Sequence, residues 1–203
     1  MVCSQCGKEF QVNTYPSINV TKDPSLRAPV RDGSLFISRC PYCGAANLLR
    51  YQTLYHDPEE KLMVWLLPEE LPVPEGVASA LENLDGYTLR RVSDVGSLVE
   101  KVNIHAAGLE DTAIEMCKHV TRMELAGKGG NPALADAPMK FYRIEGADHQ
   151  IVLTFPLDGA MQAVNIGFNV YEDCRGIMAR NPSMTPGAGF AVVDAGWVRK
   201  FFA

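Results

Sequence analysis

Four of the six cysteines fall in two short clusters, Cys3-Ser4-Gln5-Cys6-Gly7 and Cys40-Pro41-Tyr42-Cys43-Gly44. Two chemistries use this spacing. A Cys-Pro-Tyr-Cys dithiol exchanges electrons when its first thiol lies at a helix N-terminus, where the dipole acidifies it. A pair of C-x-x-C turns instead supplies four thiolates to one metal ion, the closed set of a structural zinc site.

The repeated form C-x-x-C-G favours the metal. Two thiolates three residues apart reach one ion only if the backbone curls around it. The residue after the second cysteine then turns left-handed, where glycine carries no Cβ penalty. Backbone N–H groups in the curl point at the sulfurs and stabilise their charge. Cys3, Cys6, Cys40 and Cys43 are therefore the expected ligands of a single structural Zn²⁺, with no position open for catalytic water. The 33 residues from Gly7 to Arg39 are no obstacle, because loop closure costs grow only logarithmically with length. The redox reading needs a helix after Cys43, yet GAANLLRYQTLY reads as strand. It also leaves the first pair without a role.

Other residues carry weaker signals. Glu115 and His119 stand four apart on a predicted helix and could share a metal, but Lys118 and Arg122 beside them suggest a solvated face. Tyr55-His56-Asp57 could handle protons; it adjoins a predicted turn, and a structural role is expected. His105 reads as a hydrogen-bonded core histidine and His149 as a solvated turn residue. Cys117 lies in a buried helical register, as an inert core thiol would. Acidic Glu172 and Asp173 make Cys174 a poor nucleophile. The glycine-rich AGKGGNP lacks the G-x-x-x-x-G-K-[ST] spacing of a phosphate loop. No catalytic residues are assigned.

The elements that must position the four cysteines are legible in part. Strands are expected at Phe10–Val12, Ser17–Val20 and Leu35–Ser38, with a helical turn near 24–28 capped by Asp23. NLLRYQTLYH and KLMVWLLP flank DPEE as a β-hairpin. Both faces of the second strand are apolar, so it should be covered on both sides. EELPVPEG is a proline-rich connector. Residues 97–126 read as two helices broken at Gly108, the first with a capping box Ser97-x-x-Glu100 and Leu98, Val102, His105 and Ala106 on one face. The second should bury Ile114, Cys117, Val120 and Met123. Residues 126–138 look like a linker with little to bury. Strands near 139–145, 149–156 and 161–168 and helices near 171–180 and 195–202 complete the chain.

With 47% hydrophobic and 21% charged residues, the chain has the composition of a folded soluble protein rather than a disordered one. No apolar run reaches the roughly 20 residues of a membrane span. No secretory h-region opens the sequence, so a cytoplasmic location is expected. A net charge of -5 argues against a protein built to coat nucleic acid. Residues 1–50 nevertheless carry six basic side chains (Lys8, Lys22, Arg27, Arg31, Arg39, Arg50) against three acidic ones (Glu9, Asp23, Asp32).

Paired knuckles, the second spelled CPYCG, followed by LYHDPEEKLMVWLLPEE and SLVEKVNIHAAGLEDTAIEMCK, resemble the CpXC family of bacterial and archaeal proteins. The resemblance spans about residues 1–126 and implies no biochemical activity. The first motif lacks the family's proline, which leaves its thiolates intact. The expected fold is α+β: a zinc ribbon joined to an antiparallel sheet and a helical pair (1–126), then a smaller α+β region (139–203). The expected function is that of a zinc-stabilised, non-catalytic binding or scaffold protein with an unknown protein partner. A zinc-ribbon nucleic-acid binder and an enzyme with its site in the C-terminal region are the alternatives.

Overall fold

The computed structural model describes residues 1–68, 84–129 and 132–202; the EELPVPEG connector lies outside them. The fold is α+β, and the chain divides into two compact units, Met1–Val102 and Asn103–Ala203.

In the first unit the elements are β1 (Ser17–Asn19), α1 (Arg27–Arg31), β2 (Ile37–Arg39), β3 (Ala46–Leu48), β4 (Thr53–Asp57), β5 (Leu62–Leu66) and β6 (Thr88–Val92). Helix α2 (Val95–Ala106) begins in this unit. β4 and β5 form the expected antiparallel hairpin, paired from Thr53↔Leu66 to Asp57↔Leu62. The sheet it belongs to is mixed rather than antiparallel. β1 runs parallel to β4 and β6 parallel to β5, giving the order β1-β4-β5-β6. β5 is buried along its whole length, as two apolar faces require. Ile18, Phe36, Tyr55, Val64, Leu66 and Leu98 build the core on one side of this sheet, and no knuckle residue belongs to it.

Two local expectations give way, and one strand is added. Residues 10–12 form no strand; the N-terminal segment makes only a bridge between Val2 and Glu9. Strand β6 was not foreseen. Helix α2 is capped by Asp94, whose carboxylate accepts from the Ser97 backbone N–H at 2.8 Å and its hydroxyl at 2.6 Å. Ser97 therefore lies inside the helix, and the capping box is replaced by an aspartate cap one turn earlier.

The second unit contains α3 (Asp111–Gly129), a meander β7 (Lys140–Glu145), β8 (Gln150–Leu157) and β9 (Ala160–Ile166), then α4 (Phe168–Ala179) and α5 (Ala195–Arg199). Gly108 breaks the helical pair in the left-handed region, at φ 70. Helix α3 packs Ile114 and Cys117 against Phe141, Leu153, Tyr171 and Trp197. Val120 and Met123, expected in the same face, are exposed, and Thr121 takes the buried register. The supposed linker is more ordered than its composition suggests: α3 runs through Gly129, and Pro132–Asp136 forms a 3₁₀ turn that buries Leu134.

Candidate metal centre

Each cysteine pair sits at the tip of a small antiparallel hairpin. The first is closed by the Val2–Glu9 bridge and the second by β2 and β3, paired Arg39↔Ala46. The two tips share one backbone pattern. The Gly7 N–H donates to the Cys3 carbonyl at 3.0 Å, and the Gly44 N–H to the Cys40 carbonyl at 2.9 Å. Cys3 N–H donates to the Lys8 carbonyl and Cys40 N–H to the Ala45 carbonyl. Gly7 and Gly44 have φ 70 and 76, while a Cβ at either would meet nothing within 4 Å. The glycines are thus needed for their dihedral angles and not for space.

The hairpins bring Cys3, Cys6, Cys40 and Cys43 together, with all four sulfurs within 4.8 Å of one another. The Cys3–Cys43 and Cys6–Cys40 Sγ separations are 3.6 and 3.7 Å. A disulfide would need about 2.05 Å. Around a zinc ion with bonds of about 2.3 Å, tetrahedral geometry sets neighbouring sulfurs about 3.8 Å apart. The donor set and spacing therefore fit a tetrahedral, thiolate-loving ion. Cys3 and Cys40 are buried while Cys6 and Cys43 face solvent, so the cluster lies at the surface with one side sealed.

The electrostatics favour thiolate formation at one end. Backbone N–H groups of Cys6 and Gln5 bring the Cys3 thiol down to about 6. At Cys43 the Ala45 backbone N–H also favours the thiolate, but partial desolvation of the sulfur and the three neighbouring sulfurs outweigh it and push the thiol up to about 12. Among four crowded sulfurs the first ionises readily, and its charge opposes further ionisation. A bound dication reverses that penalty.

Asn47 was not anticipated as part of this site. It is buried in β3; its amide nitrogen donates to Cys3 Sγ at 3.7 Å and to the Ala45 carbonyl at 2.9 Å. Its oxygen accepts from the Ser4 N–H at 2.8 Å and the Ser4 hydroxyl at 3.0 Å. One side chain thus fastens the first knuckle to the strand leaving the second. Asn47→Ala should weaken metal binding by about 10- to 100-fold, the usual effect of losing an outer hydrogen bond to a ligand. Competition titration with a chromogenic chelator measures this, and an unchanged affinity would deny Asn47 the role.

The other sequence candidates lie elsewhere. Tyr55 and Asp57 are buried and structural: Arg27 Nη1 meets Asp57 Oδ2 at 2.6 Å, and the Tyr55 hydroxyl donates to the same oxygen at 3.3 Å. His56 sits between Asn19 Nδ2 and the Tyr87 hydroxyl, and burial lowers its pKa. Glu115 and Lys118 are not on a solvated face. Both are buried and paired at 2.6 Å, and the His119 ring stacks on Phe202. His105 is half-buried rather than in the core, and Ala106 is exposed. His149 occupies its turn at φ 51. Cys117 and Cys174 share a core, and the hydrogen bond between them raises the Cys117 thiol, as burial does. The same bond lowers the Cys174 thiol, outweighing the acidic Asp173 that was expected to raise it.

A hairpin-tip tetrad of cysteines beside a small mixed sheet defines a protein with a cysteine-knuckle cluster able to hold a metal ion. The chain belongs to the CpXC protein family, whose model matches residues 1–118. No curated protein and no solved structure is significantly similar to it.

Proposed function

We propose that this is a zinc-stabilised, non-catalytic binding or scaffold protein whose N-terminal ribbon is held by one structural Zn²⁺. The observation that carries the reading is the four-sulfur cluster, with Asn47 bridging its two halves. Zinc, when bound, supplies a closed tetrahedral cross-link. Cys3 and Cys6 would anchor one hairpin, Cys40 and Cys43 the other, and no fifth donor or water position is required. A cytoplasmic location suits such thiolate ligands, which stay reduced there.

Held this way, the ribbon offers a surface for a protein partner. Ile37 and Leu48 are paired across β2 and β3, point to the same face, and are both exposed. Beside the second knuckle, an open groove of about 720 Å³ is lined by Met1, Phe10, Arg39, Pro41 and Tyr42, among others. Exposed apolar residues rimmed by polar ones are typical of contact surfaces.

The nucleic-acid reading draws support from Arg39 and Tyr42 in that groove, and from Lys8, 4.9 Å over the Tyr42 ring. Two facts weigh against it. Arg27 is engaged by Asp57 and Glu59. Four thiolates around Zn²⁺ also carry -2, which reduces the local surplus of residues 1–50 to about +1 and takes the chain from -5 to about -7. Titration of labelled single- and double-stranded DNA and RNA at physiological salt should therefore give only weak, salt-sensitive binding. Sub-micromolar binding with a steep salt slope, abolished by Arg31→Ala and Arg39→Ala, would replace the scaffold reading with this one. An enzymatic reading of the C-terminal unit gains nothing from its two thiols, which are buried against each other.

A further inference from the structure

We infer that strand β9 is a pairing edge for a second copy of this chain, joining two three-stranded sheets into one six-stranded sheet about a two-fold axis at Ala163. β9 is the last strand of its sheet and bonds only to β8 among the described residues. Ala160 to Ala163 are all exposed, Met161 at 69%.

The turn before β9 fixes which backbone groups face outward. Asp158 and Gly159 form a two-residue loop between Leu157 and Ala160, with φ 51 and 76. Two positive φ values in a two-residue loop define a type I′ turn, and the residues flanking it form a hydrogen-bonded pair. Hydrogen-bonded pairs then recur at every second position. Ala160, Gln162, Val164 and Ile166 therefore direct N–H and C=O to β8, while Met161, Ala163 and Asn165 direct theirs away from it. Six strong backbone groups, three donors and three acceptors, stand in a row along this edge.

Exposed edges are normally guarded by charge, proline, a bulge or brevity. The opposite edge of the same sheet is guarded. β7 carries Lys140, Arg143 and Glu145, with a register shift between Phe141 and Arg143. In the four-stranded sheet, one edge strand is only three residues long and the other presents Arg90 and Arg91. β9, AMQAVNI, has seven residues, no charge, no proline and an unbroken register with β8. The chain carries no charge from Gly159 to Tyr171.

The strand is also self-complementary. Antiparallel pairing about Ala163 places Ala163 opposite its own copy and Met161 opposite Asn165 of the second chain, on the exposed face. On the other face Gln162 meets Val164 of the second chain. The small side chain falls at the axis, where two identical residues must meet, and no like charges face each other.

The test is the mass of the full chain in solution, by light scattering or sedimentation across a dilution series. Wild type should approach twice 22.3 kDa at high concentration. Ala163 is exposed, so Ala163→Lys and Ala163→Glu leave its pairing with β8 intact but set like charges together at the axis. Each alone should weaken association at least about tenfold, because like charges set together across an interface strongly oppose it, and an equimolar mixture should restore it. A wild-type chain that stays monomeric, as it would if β9 awaits a different partner, overturns the inference. So does a dimer that survives both charged variants, or one whose mixture shows no recovery.

Discussion

Cys40→Ser should release the metal and unfold the ribbon while leaving the rest of the first unit largely intact. Binding of structural zinc is worth on the order of 10 kcal/mol in small zinc domains, and a hydroxyl in place of a buried thiolate forfeits much of it. The ribbon has little else to hold it. Its hairpins are a single bridge and a three-residue pair, and the core of Ile18, Phe36, Tyr55 and Leu98 contains none of its cysteines. Hydrogen exchange should show the Cys3, Gly7, Cys40 and Gly44 amides losing protection. Amides of β4, β5 and α3 should keep theirs. Unchanged exchange in residues 1–50, with unchanged thermal stability, would refute a folding role for the metal.

Arg27→Ala should destabilise the first unit by about 2–3 kcal/mol, the second largest effect. The Asp57 side chain is only 3% exposed, while that of Arg27 is 34%. Removing the guanidinium strands a buried carboxylate with a long contact from the Tyr55 hydroxyl and one from the Glu60 N–H at 3.4 Å. Breaking a fully buried pair costs about 3–5 kcal/mol, and solvent access at Arg27 reduces the figure. Denaturant unfolding measures the loss, and a change below about 0.5 kcal/mol, typical of surface pairs, would contradict it. Asp57→Asn made together with Arg27→Ala should recover part of the stability, since no bare charge then remains.

The convergence of the four cysteines was legible because its determinants are local. Two cysteines and a following glycine within five residues prescribe the curl, and both curls form with the expected left-handed glycines. The β4–β5 hairpin was readable for the same reason. Features that depend on distant partners were not. Asn47 stands between Ala46 and Leu48 with nothing in its neighbourhood to mark it, and its bond to Ser4 spans 43 positions. The parallel pairings of β1 and β6 also join segments remote in sequence.

Helix α3 misled for a geometric reason. Steps of three residues turn about 300° each, so the supposed stripe drifts about 60° per step, and Met123 falls opposite Ile114. The observed stripe, Ile114, Cys117 and Thr121, mixes steps of three and four and stays in register. Glu115 and Lys118 read as a solvated face because charge signals solvent until a partner is in view; here both are buried and each supplies the other's partner.

Metal analysis of protein purified without added zinc decides whether the four thiolates form a closed zinc site. One equivalent of zinc per chain is expected, with Cys3, Cys6, Cys40 and Cys43 protected from alkylation until a chelator removes the ion. Less than about half an equivalent of any metal, or a disulfide within either knuckle, would contradict the account.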